Sequence, residues 1–256
     1  MNIFKNTACL MALTALIAGC TSAVRLTAVE RTRILVDARY DAAPDKETAA
    51  FIAPFKRKVD SIMSPVVGRA ACYMSAERPE SKLSNLLADI LLDAGKDYGE
   101  QPVFAVYNMG GIRAALAKGD ITYGDVVDVA PFENKICFVT LTGDAVLELF
   151  RQIASTGGEG VSRGVALEIT ADGRLVSARL DGNEIRHDAE YCVATLDYLA
   201  QGNDKMTAFK KAKALHQPDG DTNNVRFIII KDLKEKMNRG IEVCPQTEGR
   251  IKIVKQ

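Results

Sequence analysis

Tyr107-Asn108-Met109-Gly110-Gly111-Ile112-Arg113 is the stretch around which this chain is organised. Val103-Phe104-Ala105-Val106 before it is a continuous apolar run, the pattern of a buried strand. Ala114-Ala115-Leu116-Ala117-Lys118 after it is a run of good helix formers closed by Gly119, which predicts a short helix. A strand that ends in an amide, two glycines and an arginine before a helical turn reads as a ligand site. Paired glycines let the backbone approach a ligand closely, and free N–H groups at a helix start favour acceptor atoms. Arg113 adds a planar fork of donors for phosphate or hydroxyl oxygens. No Gly-Lys-Ser/Thr follows the glycines, so this is not the phosphate loop of nucleoside triphosphatases.

Outward from that stretch, the composition is globular, with 47% apolar and 26% charged residues among 256. Basic and acidic residues balance at 33 each, which gives no concentrated basic face for nucleic acid. Met1 to Cys20 has the layout of a removable leader: Lys5 is a positive start, Ala8 to Ala18 an apolar core, and small residues precede Cys20. Ile17-Ala18-Gly19-Cys20 resembles a bacterial lipobox, which implies acylation of Cys20 and a lipid-anchored place in the cell envelope. Thr21 carries no inner-membrane retention signal, so the outer membrane is favoured. Residues 21–30 then read as a tether, and 31–256 as the folded domain. Four further cysteines, Cys72, Cys137, Cys192 and Cys244, allow three disulfide pairings. Cys137 and Cys192 lie in apolar strand-like runs, where buried free thiols are at least as good a reading as bridges. None stands in a Cys-x-x-Cys pair, which argues against zinc.

Along the chain, Arg33-Ile34-Leu35-Val36 predicts a strand, and Pro44 opens a helix to about Met63 with Ala50, Ile52, Phe55 and Val59 on one face. Pro65 to Gly68 leads into a short strand, and a second helix spans about Lys82 to Ala94. Asp120 to Asp125 turns into Val126-Val127-Asp128-Val129. A strand follows over Lys135 to Leu141, then a helix from Thr142 to about Ala154 and a glycine-rich loop over Ser155 to Gly160. Strands are predicted at Val165–Thr170, Leu175–Leu180 and Tyr191–Leu196, and a helix from about Asn224 to Lys236. The irregular alternation argues for a single α+β domain with a mixed β-sheet and flanking helices.

Several motifs now combine. Asn108-Met-Gly-Gly-Ile-Arg113, Gly119-Asp-Ile-Thr122, Pro131-Phe-Glu-Asn134, Leu141-Thr-Gly143, Tyr191-Cys-Val-Ala-Thr195 and Gly249-Arg250-Ile251 resemble, in order and spacing, the C-terminal domain of bacterial and animal 5′-nucleotidases. The resemblance covers about residues 60–256. It implies a domain that binds the nucleoside part of a substrate, while a separate N-terminal domain carries two metal ions and performs hydrolysis. By the same resemblance, Phe132 and Tyr198 sandwich the nucleobase and Asp204 accepts from ribose hydroxyls. Asn108 and Arg113 contact base and ribose, with Gly110 and Gly111 beside them. Asn134 and Gly160 are further matches, and Arg78 is placed near the phosphate. The family commonly has Gly-Gly-Asp-Gly around the aspartate, where this chain has Gly202-Asn203-Asp204-Lys205.

A two-metal phosphoesterase needs several histidines and carboxylates in Asp-x-His and Gly-Asn-His segments. The two histidines, His187 and His216, stand in neither, and no cofactor is assigned to this chain. The expectation is therefore the recognition half of a split 5′-nucleotidase of nucleotide catabolism, with two divalent metals in a metallophosphoesterase partner. The alternatives are a surface lipoprotein that captures nucleosides without a hydrolytic partner, and a scaffold whose pocket has decayed.

Overall fold

Alternation along single strands builds this protein. In β2 (Phe104–Tyr107) all four side chains are buried, Phe104 and Val106 in one apolar cluster, Ala105 and Tyr107 in another. In β4 (Ile136–Thr142) and β9 (Glu190–Leu196) the same period of two sends Phe138 and Ala194 one way and Val139 and Val193 the other. A sheet buried on both faces gives unbroken apolar runs, which is why these strands lack an amphipathic pattern.

The computed structural model describes residues 26–255. The expected leader at 1–20, Cys20 and the first part of the tether lie outside the described residues. The chain divides into two units, residues 1–51 and 52–256. In the first, the described part is extended chain, a 3₁₀ turn at Ala38–Tyr40 and the start of helix α1 (Lys46–Met63). The strand predicted at Arg33 to Val36 does not form: the segment is exposed and no partner strand is present among the described residues to satisfy its backbone.

The second unit runs through β1 (Val66–Ala70), α2 (Lys82–Ala94), β2, β3 (Gly119–Thr122), α3 (Tyr123–Val129), β4 and α4 (Gly143–Ser155). It continues through β5 (Gly160–Val161), β6 (Val165–Thr170), β7 (Leu175–Leu180), β8 (Asn183–Glu184), β9 and α5 (Asp197–Ala200), then β10 (Ala214–His216), α6 (Val225–Asn238) and β11 (Ile251–Val254). The central sheet has the order β10-β4-β9-β2-β5 and is mixed: β2 and β9 are parallel, the other neighbours antiparallel. A second sheet, β11-β6-β7-β8, joins parallel β11 to antiparallel neighbours, and β1 pairs with β3. One core lies between the central sheet and α2, α3 and α6; the other contains α4 and the second sheet. The α+β class with a mixed sheet is thus the observed one.

Caps fix the helix starts. Ser81 and Ser84 close α2 with a reciprocal capping box, and Thr122 and Asp125 do the same for α3. The stretch Val126–Val129, reached through what the sequence presents as a turn, is therefore helical. Ala114–Lys118 does not form its predicted helix. Leu116 exchanges backbone hydrogen bonds of 2.9 Å in both directions with Met74, and burial of its side chain holds the segment in that bridge. Tertiary pairing overrides local propensity here.

Two covalent or ionic ties close the unit. Of the three possible cysteine pairings, the structure contains Cys72–Cys244, with Cα atoms 5.6 Å apart, and leaves Cys137 and Cys192 as thiols. Burial pushes Cys137 up to about 12 and Cys192 up to about 11, so both are thiols rather than thiolates at neutral pH. Arg250, 4% exposed, grips Asp89 of α2 through two nitrogens at 2.8 and 2.9 Å and donates to the Val161 carbonyl at 3.0 Å. It thereby ties the entry to β11 to α2 and to β5.

Candidate functional site

Because β2 and β9 are parallel and β4 runs against them, the end of β2, the end of β9 and the beginning of β4 meet at one edge of the central sheet. That edge carries the turn Asn108–Gly111, the loop 131–135, and α5 with the turn that follows it to Asp204. Together they enclose a cavity of ≈ 210 Å³ lined by Asn108, Gly110, Gly111, Phe132, Asn134, Tyr198 and Asp204. Drug-sized ligands occupy cavities of roughly 300–1,000 Å³, so this one suits a single ring system and its nearest substituents. Seven of the ten residues that the resemblance assigns to ligand contact are thus brought together.

Asp204 is the polar centre. Its Oδ2 accepts from Asn108 Nδ2 at 2.7 Å and its Oδ1 from the Tyr198 hydroxyl at 2.9 Å. The bond to Asp204 raises the Tyr198 phenol above its ordinary value. Asp204 and Lys205 both have left-handed backbone, φ 51° and 66°, a conformation costly for residues with a Cβ. Asn203 holds this loop by donating to the Tyr198 carbonyl at 2.8 Å. Phe132 and Tyr198 are 49% and 38% exposed, two large rings left open to solvent at the same cavity. Exposed rings beside a fixed carboxylate are suited to stack a planar heterocycle and hold hydroxyls next to it.

Asn108 is 4% exposed. With its amide nitrogen committed to Asp204, its Oδ1 is an acceptor, buried and without a partner among the described residues. A Cβ at Gly111 would stand 2.6 Å from that oxygen, so glycine is required for the amide to take this position. A ligand N–H or O–H donated to Oδ1 would recover the roughly 1–3 kcal/mol that an unpaired buried acceptor costs.

The other three assigned residues lie outside the lining. Gly160 is buried beneath it, pairing with Tyr107 in the β5–β2 ladder, and a Cβ there would come 2.9 Å from the Tyr107 carbonyl oxygen. Arg113 is exposed; its Nη1 donates to the Gly110 carbonyl at 3.2 Å and its N–H to Val129 at 3.0 Å. Arg78 turns to the loop before β5, donating to the Gly158 carbonyl at 2.8 Å and pairing with Glu159 at 2.5 Å.

Glu159 is the residue that the sequence conceals. It is 2% exposed; Oε1 takes Arg78, and Oε2 accepts the Met109 N–H at 2.5 Å, in the middle of the glycine turn. Burial raises its carboxyl above the ordinary value, with the Met109 N–H and the Arg78 guanidinium opposing that shift. A lone acid between glycines, Gly158-Glu159-Gly160, is the only trace of it in the sequence. Arg226 was equally unmarked; from α6 it donates to the carbonyls of Ala130 at 3.1 Å and Pro131 at 2.7 Å and so fixes the loop bearing Phe132.

Metal donors do not converge. Among the described residues there is no group of three His, Cys, Asp or Glu side chains that could hold an ion. His187 pairs with Asp144 at 2.5 Å and His216 with Glu100 at 2.7 Å, as two separate exposed pairs. The described residues do not fit a two-metal centre.

The domain is of the α+β class, with this cavity at the end of its central sheet. Residues 65–211 match the family described as 5′-nucleotidase, C-terminal domain, and the chain belongs to that family. It is 30% identical over 219 residues to the trifunctional nucleotide phosphoesterase of Bacillus subtilis, covering 78% of this chain and 14% of that protein. With the 5′-nucleotidase of Vibrio parahaemolyticus it shares 27% over 169 residues, 62% of this chain and 29% of that one. The crystal structure of a 5′-nucleotidase precursor from Thermus thermophilus superposes with a TM-score of 0.71 at 28% identity, covering 84% of this chain and 45% of that one. The chain thus spans less than half the length of each of these relatives.

Proposed function

We propose that this chain is the nucleoside- and nucleotide-recognition half of a split 5′-nucleotidase, working in nucleotide catabolism with a separately encoded metallophosphoesterase that holds two divalent metals. The observation that carries the reading is the Asp204 carboxylate, braced by Asn108 and Tyr198 at a cavity with two exposed rings. In this reading Phe132 and Tyr198 stack on the base, Asp204 accepts from the ribose hydroxyls, and Asn108 Oδ1 takes a donor of the base or sugar. Gly110 and Gly111 allow the ligand close to the backbone. Arg113, beside Gly110, is left for the ribose or base, and Arg78, turned to Gly158 and Glu159, supports the glycine turn from the loop before β5.

The family relationship supports nucleotide recognition. The test is calorimetry of the purified chain with adenosine, AMP and a UDP-sugar, alongside phosphate release from AMP with added divalent metal. Binding without hydrolysis is the expected result. Metal-dependent turnover by the pure chain would reject the division of labour, and no binding of any of the three would reject nucleoside recognition.

The same proposal places the chain on the outside of the cytoplasm, anchored at Cys20 and favouring the outer membrane. The Cys72–Cys244 bridge supports an oxidising address. Among the described residues no helix is long and apolar enough to cross a membrane. Mass spectrometry of the protein from membranes would show a diacylglycerol adduct on Cys20; an unmodified Cys20 or an uncleaved leader would overturn the anchor.

A further inference from the structure

Helix α1 contains 18 residues and none of their side chains is buried, whereas α2, α4 and α6, of 13 or 14 residues, each bury five or more. A helix of this kind gains most of its stability from covering an apolar face. Its part within the second unit, residues 52–63, has such a face. At about 100° per residue, Ile52, Phe55, Val59 and Ile62 fall within roughly a quarter of the circumference, and they are 49–61% exposed. Lys56 and Lys58 stand about 40° beyond either edge of that stripe, by the same rotation. Asp60, the acid of this stretch, lies outside the stripe on the far side of Lys56 and pairs with it at 2.6 Å.

We infer that residues 52–63 of α1 dock the protein on an anionic phospholipid surface, Ile52, Val59 and Ile62 entering the acyl boundary and Lys56 and Lys58 reaching headgroup phosphates. The chemistry favours a bilayer over a protein groove. Lysines on both rims of an apolar stripe lay their methylenes along the hydrocarbon boundary while their ammonium groups remain among phosphates. No acid interrupts the stripe, so nothing in it opposes a negative surface. A helix beginning 26 residues after Cys20 would add a surface contact to the acyl chains of the envelope reading. The inference takes its membrane from the envelope reading above, while the helix argument stands on its own residues.

The test uses the unacylated chain beginning at Thr21, which retains both cores and the disulfide, all of them between residues 67 and 251. It is floated with vesicles of phosphatidylethanolamine, with and without phosphatidylglycerol, at low and high salt. Flotation that depends on phosphatidylglycerol and falls with salt is expected. Lys56→Gln/Lys58→Gln should weaken partitioning about fivefold per lysine removed, and Ile52→Ser/Val59→Ser/Ile62→Ser should abolish it. None of these residues lines the cavity, so nucleoside affinity remains as the control for folding. No flotation, flotation indifferent to phosphatidylglycerol, or self-association lost in the triple variant would each overturn the proposal, the last in favour of contact between copies. Because the tested chain carries no acyl group, these failures are separate from failure of the Cys20 reading.

Discussion

Glu159→Ala removes a buried carboxylate that accepts from the glycine turn. In the native protein its two oxygens serve different partners, Arg78 on one side and the Met109 N–H on the other. Arg78 is 43% exposed and would be rehydrated on losing its partner, so that half of the pair adds little. Met109 is 6% exposed, and its N–H would be left without an acceptor in a dry site. The cost is therefore that of one stranded buried donor, about 1–3 kcal/mol. For a unit of this size, at about 2–4 °C per kcal/mol, Tm falls by roughly 2–12 °C. Glu159→Gln keeps an acceptor for Met109 and should lose less. It also separates charge from shape through pH. Because burial raises the folded-state carboxyl above its ordinary value of 4.5, the native protein holds the proton more tightly than the unfolded chain. That contribution to stability is full below 4.5 and is lost as pH rises through the folded value. Urea unfolding of wild type and Glu159→Gln across that range should give a difference that changes with pH in this direction. A Glu159→Ala midpoint equal to wild type, or two parallel pH profiles, would refute the role assigned to this carboxylate.

Phe132→Ala and Tyr198→Ala should each weaken adenosine binding at least about tenfold with the fold intact, since stacking is worth about 1–3 kcal/mol per base; calorimetry beside near-ultraviolet circular dichroism decides it. Gly111→Ala should displace the Asn108 amide and separate it from Asp204, lowering affinity more than stability, and equal affinity would show that the amide position is immaterial. Replacing both Cys72 and Cys244 by alanine opens a link across 172 residues and should cost about 2–5 kcal/mol, read as a lower urea midpoint under non-reducing conditions.

What the sequence discloses depends on whether a side chain's task is local. The strand-to-turn stretch at 103–113 is legible because apolar runs and paired glycines carry their own constraint. Phe132, Tyr198 and Asp204 are legible as cavity residues only through family motifs, since nothing in Pro131-Phe-Glu-Asn134 by itself separates a ring left open at a cavity from one in a core. Ala114–Lys118 reads as helix from composition, yet its backbone finds Met74, more than forty positions earlier, which no local pattern announces. Thr122 and Asp125 do announce α3, at capping-box spacing, although Asp120 to Asp125 reads as a plain turn. Glu159 and Arg226 are invisible for a different reason: each acts on a backbone group dozens of residues away, and their own neighbours in sequence have no part in that work.

β2 has a consequence for how damage spreads through the molecule. Its four consecutive side chains are rooted alternately in opposite apolar bodies, and the residue that follows is Asn108. The cavity therefore sits on a shared root. A lesion at Leu87 among the helices and one at Phe150 beneath the second sheet, far apart in sequence, should both blunt ligand affinity before either unfolds the chain. Affinity thus becomes a gauge of packing throughout the second unit, and loss-of-function substitutions are expected to be spread through both interiors rather than gathered at the mouth of the cavity.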